Sequence, residues 1–158
     1  MAELPWKIDT SITVEQLQKM VGVEDKPVVV EVEKGHIKRF VEAVGDSNPL
    51  WQDPVYAKDS VYEKPVAPPS IIFGANMMGS VMPNMPRPRE KVLDGGAEWE
   101  FFKPIEAGDT ISATTCLARL FERELKGLGK AIFFVLVTTH TNQRKEVVAR
   151  SNATIICY

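Results

Sequence analysis

The sequence predicts an α+β fold in which helical segments come first and a run of antiparallel strands follows. Three observations lead there. In the first half, apolar residues recur at i, i+3, i+4 and i+7, the spacing of one helix face. In the second half, four β-branched and aromatic runs follow one another, parted by short turn signals. Between them, residues 70–82 are apolar on every side, which marks a buried helix rather than a surface one.

Taken in order, Thr13 and Gln16 have the spacing of a capping box. Val14, Leu17, Met20 and Val21 then form an apolar face that Gly22 closes, so a helix is expected over 12–22. Pro27 and the valines of 28–32 suit a strand, because consecutive β-branched residues crowd a helix but fit a pleated surface. From Glu33, the positions Ile37, Phe40, Val41 and Val44 repeat as a helix stripe, with Gly45 where a left-handed cap belongs. Asp46-Ser47-Asn48-Pro49 is a turn, and Asp53-Pro54 places an N-cap before proline, which starts a third helix over 54–60.

The apolar segment 70–82 would be about 20 Å long as a helix, enough to lie across one sheet. Pro83, Pro86 and Pro88 then end it in an exposed loop. Strands are expected over 92–102, 110–122, 130–142 and 146–158. Their separators, Gly108-Asp109, Gly127-Leu128-Gly129 and the polar run 142–145, are short enough for antiparallel neighbours. With no internal repeat and no long linker, residues 1–158 read as a single domain. An open sheet of this kind exposes an edge, so dimerisation is expected.

Composition excludes several classes of function. Charged residues make up 25% and the net charge is -2, so no basic surface solicits nucleic acid. The stretch 65–86 lacks charges, but its five prolines and its polar Ser70, Asn76, Ser80 and Asn84 argue against a membrane span. Two cysteines without a CxxC pair and two histidines suggest neither a disulfide framework nor a metal site. No nucleotide or redox cofactor is implied, because phosphate-cradling glycine motifs are absent. MAELPWKIDT has no apolar leader core, so a secretory signal is not expected and a reducing cytoplasm fits best.

The run from Phe40 through Val44-Gly45-Asp46-Ser47-Asn48-Pro49-Leu50-Trp51, followed by Pro65-Val66-Ala67-Pro68-Pro69, resembles the hydratase motif of the MaoC-like family. The later Pro104-Ile105-Glu106-Ala107-Gly108-Asp109 is similar to a corner of that family between its second and third strands. The resemblance covers about residues 28–158. It implies a hot-dog fold, a long central helix wrapped by a curved antiparallel sheet. It also implies reversible addition of water at the α,β double bond of an acyl-CoA or acyl-carrier thioester.

That chemistry needs a base for the water, an acid for the α-carbon and donors for the enolate-like oxygen. In the family an Asp and a His five residues apart orient the water, and a backbone N–H at the start of the central helix faces the thioester oxygen. Residue by residue, Asp46 stands at the aspartate and is the candidate catalytic carboxylate, while Asn48 stands at the asparagine that braces the loop. Trp51 stands at the histidine, and an indole has a donor but no basic nitrogen. Pro68-Pro69 stands where many members have His-Gly, and proline has no N–H to offer. These departures resemble the degenerate half of two-chain and two-domain members. A partner, as homodimer or as heteromer with a second MaoC-like hot-dog chain, is therefore expected to carry the full Asp/His pair.

Trp51, Tyr56, Pro69, Ser70, Phe73 and Met77 are the residues expected to meet the substrate. For each there is a plainer alternative. Asp46 is equally suited to an Asx turn, Trp51 and Tyr56 to packing, and the methionines to core. His36 falls off the apolar stripe and reads as solvated. His140 shares a strand face with Ile132, Phe134 and Leu136 but lies near a strand end where Asn142 and Gln143 suggest solvent. Arg87, Arg89 and Lys91 could meet coenzyme phosphates, but a solvated charged loop is the stronger reading. Two further functions compete with the hydratase subunit. One is a non-catalytic acyl-binding subunit. The other is a hot-dog thioesterase, which the absence of Asp or Glu in 70–82 disfavours.

Overall fold

The computed structural model describes residues 8–73 and 85–158. Thr13 caps the first helix, α1 (Val14–Gln18), through the reciprocal box with Gln16 that the sequence predicts. The helix is shorter than the expected 12–22. The chain leaves it after Lys19, because Val21 bridges to Leu117 and the Gly22 N–H donates to the Leu117 carbonyl. A sheet contact therefore replaces the last helical turn. Leu17 is the anchor of α1 and is wholly buried.

Strand β1 (Val28–Glu31) leads into α2 (Lys34–Val44), which ends on Gly45 at φ 71°. The Asp46 N–H returns to the Val41 carbonyl at 3.0 Å, the back-bond of a left-handed glycine cap, and this fixes where the next loop starts. Ile37 and Val41 are buried, whereas Val44 at the end of the expected stripe is exposed. After a 3-10 turn (Pro49–Trp51), Asp53 caps α3 (Pro54–Lys58) by accepting from the Val55 and Tyr56 N–H groups.

A second 3-10 turn, Pro69–Phe73, buries Ile71 and Ile72. The described part of the segment expected as a helix, residues 70–73, takes the tighter form, with the Ile71 N–H donating to the Pro68 carbonyl at 2.9 Å. Met77 and the rest of that segment lie outside the described residues.

The strands β2 (Val92–Phe101), β3 (Thr110–Leu125), β4 (Gly129–Thr141) and β5 (Val147–Cys157) follow the sequence expectation closely. With β1 they form one antiparallel sheet in the order β1-β3-β4-β5-β2. The outer strand β2 bulges at Asp94 to Ala97. At Gly95 an added Cβ would stand 2.9 Å from Thr154 Cγ2 and 3.0 Å from the Thr154 carbonyl, so β2 touches β5 through bare backbone.

Two apolar clusters fill one face of the sheet. One gathers Val32, Ile37, Val41, Ile71, Ile72, Ile105 and Val148, and the other Leu17, Met85, Leu117, Leu120, Ile132 and Phe134. Between them, the paired positions Thr115, Thr138 and Ser151 form a buried polar row across β3, β4 and β5, with Thr115 and Thr138 hydroxyls 2.8 Å apart. His140 is next along that face and is 0% exposed. The solvent expected for it is excluded at this end of the strand, where the ring packs on Trp99 with centroids 5.6 Å apart. Asn142 is buried there, donating through Nδ2 to Glu146, and Gln143 donates to the carboxylate of Asp109. Met85 likewise corrects the expectation of an exposed loop over 83–88. It is buried beside Leu17, and the Asp9 N–H holds the Arg87 carbonyl at 2.8 Å.

Candidate functional site

The loop after α2 is organised by its own side chains. Asp46 Oδ1 accepts from the Asn48 N–H at 3.1 Å, and Asn48 Oδ1 accepts from the Leu50 N–H at 3.0 Å. Two successive Asx turns thus set up the 3-10 turn that carries Trp51. The half-buried indole then turns back on the loop, and Trp51 Nε1 donates to Asp46 Oδ2 at 2.8 Å. Both oxygens of Asp46 therefore accept hydrogen bonds from within the loop, one of them from the ring that stands where the resemblance expects an imidazole. A bond from a neutral donor to a charged acceptor contributes roughly 1.5–3 kcal/mol.

Neither histidine lines the hollows that Asp46 and Trp51 border. His36 Nδ1 lies 3.3 Å from the Glu31 carbonyl oxygen at the start of α2. His140 packs against Trp99 on the sheet, with ring centroids 5.6 Å apart.

Trp51 lines two clefts. On one side, about 270 Å³ is enclosed by Trp51, Tyr62, Ala67 and Pro69 against Phe101, Phe102 and Lys103. This cleft is bounded by aromatic and aliphatic surface, with Lys103 at its rim bound to Glu146. On the other side, about 510 Å³ opens between α2 and the loop beyond α3, lined by Lys34, Lys38 and Lys64 together with Glu106. Asp46 faces neither. It borders a third hollow with Asn48 and Asp53, and its link to the two clefts is the indole it holds.

Of the other residues expected at the substrate, Pro69 lines the apolar cleft, Ser70 is exposed on the 3-10 turn, and Phe73 meets Trp99 edge to face at 4.9 Å. Tyr56 is exposed on α3 and lines neither Trp51 cleft. The tyrosine that does so is Tyr62, which sequence reasoning missed because the loop after α3 has no periodicity to single it out. Phe101 and Phe102 were read only as strand residues. Their side of the cleft is shaped by the corner where Asp109, buried, accepts from the Glu106 N–H at 2.9 Å and from Gln143 Nε2 at 2.9 Å.

A family model described as the FAS1-like dehydratase domain region matches residues 19–151. The chain belongs to that family. Sequence relatives include a UPF0336 protein of Thermobifida fusca, 30% identical over 95 residues. That match covers 58% of this chain and 62% of the relative. A probable enoyl-CoA hydratase alpha subunit of Thermomonospora curvata is 30% identical over 129 residues, 72% of this chain and 40% of that one. The chain thus spans less than two thirds of the length of these relatives.

Solved structures show the same fold. The MaoC-like dehydratase from Rhodospirillum rubrum has a TM-score of 0.71 at 22% identity, covering 94% of this chain and 97% of that one. The ChsH1-ChsH2 complex of Mycobacterium tuberculosis has a TM-score of 0.73 at 23% identity, covering 92% and 97%. The MaoC-like resemblance and the hot-dog fold expected from the sequence are both borne out. Among the described residues, no cluster of His, Cys, Asp and Glu is arranged to hold a metal ion, and no helix is long and apolar enough to cross a membrane.

Proposed function

We propose that this chain is a subunit of a hydratase/dehydratase that adds or removes water at the α,β position of an acyl thioester, and that a partner hot-dog chain supplies the Asp/His pair. The observation that carries this reading is the Trp51–Asp46 bond. The carboxylate of the motif is bound to a group that cannot exchange protons near neutral pH, while the hot-dog fold and the apolar cleft beside Trp51 suit an acyl thioester. The role left to this chain is to wall the substrate and to support its partner.

The alpha-subunit name of the Thermomonospora curvata relative and the two-chain Mycobacterium tuberculosis complex support a heteromer. The partner is expected to add at the outer edge of β2, where Val92, Leu93 and Phe101 are exposed. With this role the subunit would work in the cytoplasm, in acyl-chain or lipid metabolism. Asp46 then serves the loop rather than the proton transfer.

The test is purification from native lysate, followed by a hydration assay with an enoyl-thioester series. A co-purifying MaoC-like chain with an intact Asp/His pair is expected, with turnover by the complex and none by this chain alone. Asp46→Asn should leave the turnover of the reconstituted complex within about twofold of wild type. Rapid hydration by the isolated chain, lost in Asp46→Asn, would reverse the assignment, and release of free thiol without hydrated product would make it a thioesterase.

A further inference from the structure

The face of the sheet turned away from both core clusters is built differently from the face that meets them. Along β4 the side chains alternate, so Phe134 and Leu136 enter the core while Phe133, Val135 and Val137 lie half-buried on the far side. Strand pairing carries that far side across the sheet, where Phe121 of β3, Phe133 of β4, Ile156 of β5 and Leu93 of β2 stand in one row. The Phe121 and Phe133 rings stack at 4.9 Å, and the guanidiniums of Arg119 and Arg123 lie over Phe121 at 4.8 and 5.2 Å. Toward the opposite edge, Glu98 and Glu100 of β2 share this face, since they pair with Asn152 and Arg150. Arg150 is drawn over the Phe102 ring at 5.8 Å.

Charge is thus sorted by strand, with cations on β3 and carboxylates on β2. Three strand spacings, about 14 Å, separate the two within one chain. Among the described residues no ion pair engages Arg119, Arg123, Glu98 or Glu100. A face that is apolar in the middle, positive on one side and negative on the other is complementary to a second copy of itself.

We propose that two copies of this chain pack back to back through this face, about a two-fold axis that runs parallel to the strands between β4 and β5. Such an axis keeps each residue's height along the strands and exchanges the two sides. β3 of one copy then lies over β2 of the other and β4 over β5, with the sheets about 10 Å apart. Phe133 meets Ile156 of the second copy, and Phe121 meets its Leu93. Arg119 is level with Val135 and Glu98 with Val137, neighbouring positions on this face, so the guanidinium of one copy reaches the Glu98 carboxylate of the other. Each of these contacts occurs twice, because the interface is isologous. The hydrogen-bonding edge of β2 stays free for an edge-on hot-dog partner, and the inference does not depend on the thioester reading.

Sedimentation velocity over a concentration series, on the full chain and on its co-purified complex, would compare wild type with Arg119→Glu, Glu98→Lys and the double reversal. Both residues are exposed, and unchanged thermal denaturation would establish that each variant is folded. Wild type is expected to associate in pairs of this chain, in the complex as well. Each single reversal is expected to raise the dissociation constant at least about tenfold, and the double reversal to return it to within about threefold of wild type.

Self-association that neither single reversal weakens would place the contact on another surface and overturn the proposal. A chain that stays a single copy, alone and in its complex, would overturn it too. So would a double reversal as weak as the singles, since the two residues would then not face one another. Charge-dependent pairing in a complex that hydrates no enoyl thioester would retain the interface and remove the hydratase reading.

Discussion

The indole nitrogen of Trp51 and the carboxylate of Asp46 are joined at 2.8 Å across five residues of one loop, and Trp51 lines both an apolar cleft and one that Lys34, Lys38 and Lys64 border. Trp51→Phe keeps the aromatic wall and removes the donor. It is expected to cost about 1–2 kcal/mol and to lower the thermal midpoint by roughly 2–8 °C. Differential scanning calorimetry would check this, and an unchanged midpoint would show that the loop does not depend on the bond.

Trp51→His writes the family's Asp/His spacing into this chain, yet the helix entrance still has Pro69 where an N–H donor is needed. The single variant is therefore expected to stay inactive in isolation. A Trp51→His/Pro69→Gly double variant should show hydration above both singles, since the proton-transfer pair and the oxyanion donor act on one transition state. Progress curves with an enoyl-CoA series would decide it, and additive effects of the two changes would count against a shared site.

Asp109 is buried at the corner between β2 and β3, accepting from the Glu106 N–H and Gln143 Nε2 while its own carbonyl receives the Val32 N–H at 2.8 Å. Asp109→Ala leaves the Glu106 N–H and the Gln143 amide without their acceptor. A loss of about 2–3 kcal/mol is expected in urea denaturation. A loss below 0.5 kcal/mol, roughly the scale of an ordinary surface change, would show the corner to be held by its backbone bonds alone.

Hydrogen bonds from Asn142, Lys103 and Arg144 hold the Glu146 carboxyl at about 2, well below its ordinary 4.5. A carboxyl held below its unfolded value contributes stability that is complete above the ordinary range and is lost as the pH falls from about 4.5 toward about 2. Wild type should therefore exceed Glu146→Gln in thermal stability at pH 6, with the gap closing across that window. A gap that persists unchanged at pH 2 would assign it to shape rather than charge.

Burial pushes the Cys157 thiol up to about 11, with Arg87 drawing it back in part, and burial with the nearby Glu24 also raises Cys116. The thiolate is the reactive form, so both cysteines should react slowly at pH 8, Cys116 first because it is partly exposed. Thiol titration is expected to count one group in the native protein and both after denaturation. Two native groups reacting at one rate would contradict the burial of Cys157.

The strands, the left-handed cap at Gly45 and the caps at Thr13 and Asp53 were legible because each depends on neighbours within a few residues. The Asp46 loop was legible for the same reason, and its Asx turn is the plainer of the two roles open to that residue in the sequence. Contacts between distant segments were not legible. His140 read as wet because Asn142 and Gln143 follow it, yet it is buried against Trp99 of the distant strand β2, and Asn142 is itself buried with its amide donating to Glu146. Lys34 and Lys38 converge with Lys64 only once α2 packs beside the loop beyond α3, and no local pattern announces that meeting.

Gly95 brings one more constraint to the cleft. Any side chain there would act as a wedge driven between the outer strand and its neighbour at Thr154. The same strand holds Trp99 and Phe101 farther along, so prising it loose would tilt the aromatic flank beside Pro69 and Tyr62. The breadth of the slot is therefore governed at a distance by a position whose contribution is to have no side chain.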